Sequence, residues 1–435
     1  MTDLHDLTSL PDPYPISPAG RPLDAVVSVP GSKSITNRAL VCAALADGTS
    51  VLHGALFADD TFAMLGVLDA VGVTCRTDPV NGSMEVEGAN GRLPASDRTI
   101  DVRQSGTTAR FALPMLSLGE GIYEVTAHPQ MQARPMDTTF EALRALGSAL
   151  EETSTSGHLP VMLRAGGLRC EPVRVRGDAS SQFLSGLLLV APCLREGLVV
   201  EVTTTLVSRP YVDLTVSVMQ SFGATVHQPD DRTFVVEPGG YRATSYQIEP
   251  DASAASYPLA AAAICGGRVR VNGLTGQSIQ GDVAFVEVLA AMGASIEHDV
   301  DGTTVSADRS SLRGGSFDLT HFSDTAPTLA VVAAFASEPV TITGIGFIRR
   351  KETDRIEAVA TELRRCGIEV AIDPDGWTIQ PAQPHAAVVQ TYDDHRMAMS
   401  FALLGLGAAG IEIADPGCVA KTFPGYWAML DELVE

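Results

Sequence analysis

The sequence predicts a mixed α/β (α+β) fold assembled from six copies of one unit, three in each of two domains. The first observation is a repeat near one sixth of the 435-residue length. Six segments open on a short Ser/Thr/Asp-rich cluster and run into an apolar, Ala/Leu-rich stretch: SKSITNRALVCAALADG, SGTTARFALPMLSLGEG, ASSQFLSGLLLVAPCLREG, ASAASYPLAAAAICGG, SDTAPTLAVVAAFAS and YDDHRMAMSFALLGLGAAG. With Ser32, Ser105, Ala179, Ala252, Asp324 and Asp394 as comparable starts, the steps are 73, 74, 73, 72 and 70 residues. The second observation is an amphipathic pattern that follows the apolar one. The third is a set of short strand-like runs joined by turns.

Each element follows from its residues. A capping residue, an apolar run and a closing Gly spell a buried helix. The second helix shows apolar positions three to four apart, as in Phe62/Leu65/Leu68/Val71, Phe140/Leu143/Leu146, Phe285/Val288/Met292 and Ile356/Val359/Leu363/Cys366. Gly72, Gly147, Gly223, Gly293 and Gly367 stop such helices. SIEHDVDGTTV and IEVAIDPDGWTI carry Asp-Gly turns between alternating runs and read as hairpins. The sixth unit is incomplete: its second helix, around Trp427/Leu430/Leu433, runs into the C-terminus. Strand-like residues Ala25–Val29 precede any helix, so the two chain ends are expected to meet in one domain.

The totals exclude several function classes. With 30 basic and 52 acidic side chains the net charge is −22, which repels nucleic acid and anionic lipid. The start, MTDLHDLTSLPDPYPISPAG, has neither a basic n-region nor an apolar h-region and is too acidic for a transit peptide. No apolar stretch is long enough to read as a membrane span. The seven Cys are scattered with no CxxC pair, which fits buried thiols in a reducing cytosol and suggests neither disulfides nor zinc. A cytoplasmic location is expected.

Against that acidic balance, cations at helix starts stand out. A helix N-terminus is partially positive, so Lys or Arg there is disfavoured unless an anion shares the site. Lys33 opens the first buried helix, Arg38 follows one turn in, Arg110 lies just inside the second and Arg396 just inside the sixth. Ser32, Ser34, Ser180 and Ser181 add hydroxyls suited to phosphate or hydroxyl groups. Taken singly, these residues read as ordinary caps or solvated charges. Their recurrence at equivalent places argues for a cradle for small, multiply charged anions. In IRRKETDRIEAV, Lys351, Glu352, Asp354 and Arg355 form either a solvated first turn or a catalytic carboxylate held among substrate-binding cations. His395 in YDDHRMAM reads as a buried structural histidine.

An ordered series then runs from Pro30 to Tyr426: PGSKSITNRAL, SGTTARF, ARPM, ASSQFLSGLLL, LVSRPYVDLT, DASAASY, Gly281–Asp282, SDTAPT, KETDRIEAV, DDHRMAM and AKTFPGY. The series resembles the 5-enolpyruvylshikimate-3-phosphate synthases, within the enolpyruvyl transferases. The resemblance implies a two-domain inside-out α/β barrel of six βαβαββ units. Residues 1–29 with 250–435 would form domain I and 30–249 domain II, with the active site in the interdomain cleft that shikimate 3-phosphate closes. It implies transfer of the carboxyvinyl group of phosphoenolpyruvate to the 5-hydroxyl of shikimate 3-phosphate, in the shikimate pathway to chorismate and aromatic amino acids. Phosphate is released, and a monomer without metal or organic cofactor is implied.

By the same resemblance Lys33, Asp324 and Glu352 form the catalytic set, with Glu352 handling the C3 proton and Asp324 bonded to the attacking hydroxyl. Lys33, Asp324, Ser34, Arg38, Ser180, Ser181, Gln182, Ser208, Tyr211 and Lys351 match positions that hold shikimate 3-phosphate. Lys33, Gly106, Arg134, Gln182, Arg355, Arg396 and Lys421 match those that hold phosphoenolpyruvate. Two residues depart from the family pattern: Gln104 in place of Asn, and Phe111 in place of Pro, both expected beside Gly106. Gly106 itself implies sensitivity to glyphosate. The alternatives are a UDP-N-acetylglucosamine enolpyruvyl transferase and a catalytically silent anion-binding protein of the same fold. The first lacks its usual loop thiol, since no Cys lies between Cys75 and Cys170.

Overall fold

The computed structural model describes residues 7–94 and 97–435. Residues 1–6, the start of the arm assigned by sequence to the first domain, lie outside the described residues. The chain divides into two compact units, one of Met1–Pro30 with Glu249–Glu435 and one of Gly31–Ile248.

In the Gly31–Ile248 unit three helices, Lys33–Leu45, Gly106–Leu116 and Gln182–Val190, form the centre. Every residue of the Gly106–Leu116 helix is buried, as are all but the opening residues of the other two. A helix apolar all round must be covered all round. Three sheets do this, and each repeats one order: a parallel pair followed by two antiparallel neighbours. Arg98–Asp101 pairs parallel with Glu120–Thr126, which pairs antiparallel with Val161–Gly166, and that in turn with Ala149–Glu152. Val173–Val175, Leu198–Val202, Thr233–Val236 and Val226–His227 repeat the order. In the remaining sheet the parallel neighbours of Ala46–His53 are Tyr241–Arg242 and Ser245–Gln247, from the far end of the unit. The central helices approach closely: a Cβ on Gly186 would lie 2.3 Å from the Arg110 carbonyl oxygen. Glycine there lets two helix starts that carry candidate site residues lie side by side.

The other unit has the same plan around Ala252–Cys265, Ala326–Ala333 and His395–Gly407, all completely buried. Gly315–Asp318, Val340–Thr343, Gly376–Gln380 and Glu369–Asp373 form a complete sheet, with Asp373–Gly376 closing the hairpin expected from Asp-Gly. Leu23–Val27 supplies the parallel partner of Gly267–Asn272. The sixth sheet stops after Ala387–Val389 and Ile411–Ile413, and Tyr14–Pro15 covers its open edge antiparallel. The arm is fastened further by Ile16, packed where a Cβ on Gly405 would come within 2.5 Å, and by Tyr14 against Trp427.

Several boundaries differ from the sequence reading, and the strand read as Ala25–Val29 runs over Leu23–Val27. The third central helix begins at Gln182 rather than Ala179, because Ser180 Oγ accepts from the Gln182 amide and bends the chain first. Asp324 sits in a 3-10 turn, Ser323–Thr325, ahead of its helix. Gly48, read as a helix stop, lies inside the Ala46–His53 strand, since the first helix ends at Leu45. Gly72, Gly147, Gly223, Gly293 and Gly367 all have positive φ, the conformation a helix stop requires. No helix among the described residues is long and apolar enough to cross a membrane.

Candidate active site

Within the Gly31–Ile248 unit, the candidate residues gather at the starts of the central helices. Ser32 caps the first, its Oγ accepting from the Ile35 amide. Lys33 follows, mostly buried, with Nζ 3.3 Å from Asp60 Oδ2. Asp60 is itself tied to the second central helix, where Thr108 Oγ1 donates to its carbonyl at 3.2 Å. One turn past Ser34, Arg38 is buried and donates from Nε to Thr215 Oγ1 at 2.7 Å, from Nη1 to the Ser34 carbonyl and from Nη2 to the Tyr211 carbonyl. Thr215 passes the link on to Ser185 of the third central helix at 2.9 Å. Burial lowers the Arg38 pKa to about 10, which leaves it cationic at neutral pH. Ser208, just ahead of Tyr211, is buried with φ 51°.

Gln182 ties the second and third helix starts together. Its Oε1 accepts from Arg110 Nη1 at 2.9 Å and its Nε2 donates to Thr107 Oγ1 at 3.1 Å. Ser180 and Ser181 lie directly before it. A Cβ on Gly106 would lie 2.6 Å from Arg134 Nη1 and 2.9 Å from Arg110 Nη1. A side chain at Gly106 would therefore meet two guanidiniums first. Of the two departures from the family pattern, the Phe111 ring lies under the Arg38 guanidinium, 5.1 Å away, and Gln104 bonds to Gln130.

In the unit that carries both termini, a network of opposite charges is built around Arg355, which is 1% exposed. Its Nε and Nη2 meet both oxygens of Asp394 at 2.7 and 3.1 Å, and Nη2 also meets Glu352 Oε2 at 2.8 Å. Its Nη1 lies 3.4 Å from Asp324 Oδ1. Asp324 accepts from Arg396 Nη2 at 2.7 Å, with Lys351 Nζ 3.9 Å away. Burial works to lower the Arg355 pKa, but Asp394 and Glu352 beside it outweigh this and raise it. Arg396 Nη1 also meets the Tyr257 hydroxyl, whose pKa burial pushes up to about 12. Lys421 is buried at the end of a 3-10 turn, Pro416–Lys421. Asp324, Lys351, Glu352, Arg355 and Arg396 thus share one network. Sequence reasoning read Asp394 only as a helix start and passed over Asp60 and Thr215. The repeated acids in DDHR and ADDTF were the available signals. Among the described residues no group of three His, Cys, Asp or Glu is placed to hold a metal ion.

The family model for EPSP synthase (3-phosphoshikimate 1-carboxyvinyltransferase) matches residues 18–430. The chain belongs to this family. A 3-phosphoshikimate 1-carboxyvinyltransferase of Nostoc punctiforme is 43% identical over 425 residues, covering 98% of this chain and 100% of that one. The Shewanella loihica protein of the same name is 42% identical, covering 94% and 96%. The EPSP synthase of Acinetobacter baumannii superposes with a TM-score of 0.81 at 25% identity, covering 97% and 98%. The enolpyruvyl transferase NikO from Streptomyces tendae, at 20% identity and a TM-score of 0.72, shares the fold. The fold is therefore the two-domain inside-out barrel, and the chain is an enzyme, a transferase. The EPSP synthase likeness disfavours both the UDP-amino-sugar and the silent reading.

Proposed function

We propose that this EPSP synthase family member moves the carboxyvinyl group of phosphoenolpyruvate onto the 5-hydroxyl of shikimate 3-phosphate, in the cytoplasm and as a monomer. The alkene C3 gains a proton while the 5-oxygen bonds to C2 and loses its own proton. The tetrahedral adduct then gives up a C3 proton and inorganic phosphate, restoring the double bond. The step needs an acid/base at C3 and cations at the phosphate and carboxylate. Glu352 takes the first role, and Asp324 orients the 5-hydroxyl. Lys33 reaches both substrates. In the unit with both termini, Arg355, Arg396 and Lys421 hold phosphoenolpyruvate, and Lys351 serves shikimate 3-phosphate. In the other, Ser34, Arg38, Ser180, Ser181, Ser208 and Tyr211 hold shikimate 3-phosphate, Gly106 and Arg134 serve phosphoenolpyruvate, and Gln182 touches both.

The observation that carries this reading is the buried Arg355 shared by Glu352, Asp394 and Asp324. Such a knot keeps a carboxylate and cations together, ready for an anionic substrate. The test is phosphate release from phosphoenolpyruvate with shikimate 3-phosphate, beside a parallel reaction with UDP-N-acetylglucosamine. Release with the first acceptor alone is expected; release with the second alone would overturn the acceptor assignment.

Two further results are expected. Gly106→Ala pushes its Cβ against the movable ends of Arg134 and Arg110, so the fold should survive. The displaced guanidiniums should raise KM for phosphoenolpyruvate about tenfold or more. The unaltered enzyme should be inhibited by glyphosate in competition with phosphoenolpyruvate, and turnover indifferent to millimolar glyphosate would refute this. Separately, burial pushes the Cys75, Cys193 and Cys366 thiols up to about 12 and Cys265 to about 11. Thiolate is then scarce at neutral pH. Iodoacetamide should leave phosphate release intact; loss in step with alkylation would point to a thiol-dependent transferase.

A further inference from the structure

The Arg355–Arg365 helix grips the segment leading into Asp394 at two places. At its first residue Arg355 holds both oxygens of Asp394. Two turns later, and so about 10 Å along the same face, stands Glu362, a carboxylate with no exposed side-chain surface. It accepts from the Gln390 amide at 3.0 Å, the Tyr392 hydroxyl at 2.7 Å and Arg365 Nε at 2.8 Å. A carboxylate that deep is tolerable only with such donors.

Between the two grips the backbone is strained. Tyr392 and Asp393 have φ of 57° and 56°, two successive left-handed residues of which neither is Gly. A bulky residue pays a steric penalty there and keeps that conformation only when its surroundings impose it. Asp393 is followed at once by Asp394, whose amide is held by the Thr391 carbonyl and whose Oδ1 accepts from the Arg396 amide. The direction of the 392–393 backbone therefore sets where Asp394 stands, and with it Arg355 and the first turn that carries Arg396.

We propose that Glu362, acting through Tyr392, is a positioning residue for the phosphoenolpyruvate-holding arginines. It latches the 390–393 segment with Tyr392 and Asp393 left-handed and so fixes Asp394, Arg355 and Arg396 before substrate arrives. The proposal rests on the reading of those arginines given above.

Tyr392→Phe tests it, because the ring is 40% exposed and only its hydroxyl is removed. Steady-state phosphate release should show KM for phosphoenolpyruvate rising about three- to tenfold, the size of one lost hydrogen bond, with KM for shikimate 3-phosphate unmoved. Backbone amides of 390–396 should exchange faster with solvent. Glu362→Gln, which weakens three contacts at once, should move the same KM further. If neither variant shifts that KM, or if both KM values rise together with a fall in melting temperature, the latch has only a structural role and the proposal fails. Wild-type protein that releases no phosphate overturns the functional reading instead. Amide exchange then decides for the latch if 390–396 quickens in Tyr392→Phe, and against it if the rate is unchanged.

Discussion

Glu352→Gln is expected to lower turnover by about a hundred- to ten-thousandfold, the usual worth of a general acid–base group, while shikimate 3-phosphate still binds. Gln has the same shape and can still accept from Arg355 Nη2, which meets Glu352 Oε2 at 2.8 Å. The neighbouring Asp394 keeps its two-point contact with Arg355, so the network survives. What is lost is the ability to give a proton to C3 of phosphoenolpyruvate and take it back. Turnover from phosphate release and acceptor affinity from calorimetric titration separate the two effects. Turnover within tenfold of the unaltered enzyme would remove Glu352 from the acid–base role. A parallel loss of acceptor binding would instead make it a binding group.

The central helices were legible because a cap and an unbroken apolar run leave few alternatives. Ser32, Ser105, Asp251 and Asp394 each accept from an amide two or three residues on, as the caps require. The Gln182 start was not legible, since Ser181 adopts helical φ and ψ yet makes no side-chain cap. Cations at helix starts were visible as charges out of place in an acidic chain. Their partners were not, because they come from far along the sequence: Thr215 meets Arg38 across 177 positions and Asp394 meets Arg355 across 39. Periodicity says which face of a helix is buried, but not which residue of another unit of the repeat meets it. The latch at Glu362 was hidden for the same reason. On its own helix it is one more acid with an i,i+3 partner, Arg365, of the kind common on solvated surfaces.

Arg355→Met should cost about 3–5 kcal/mol of stability, the range found when one partner of a buried ion pair is removed, and abolish turnover. Met fills much of the same volume, so packing alone predicts a far smaller loss. The electrostatic cost arises because Asp394 has no exposed side-chain surface and Glu352 little, and both lose the cation nearest to them. Arg396 and Lys351 still face Asp324, which limits the damage to the other two carboxylates. Denaturant unfolding of the variant should show the midpoint shift, and adding Asp394→Asn should recover part of it by removing one uncompensated charge. A double variant less stable than Arg355→Met would show that the negative charge of Asp394 at the start of the His395–Gly407 helix, where its Oδ1 accepts from the Arg396 amide, stabilises by more than its burial costs once Arg355 is gone. Recovery of stability without recovery of turnover is the expected pattern, because Asn neutralises the buried charge but cannot replace the guanidinium that gathers the site.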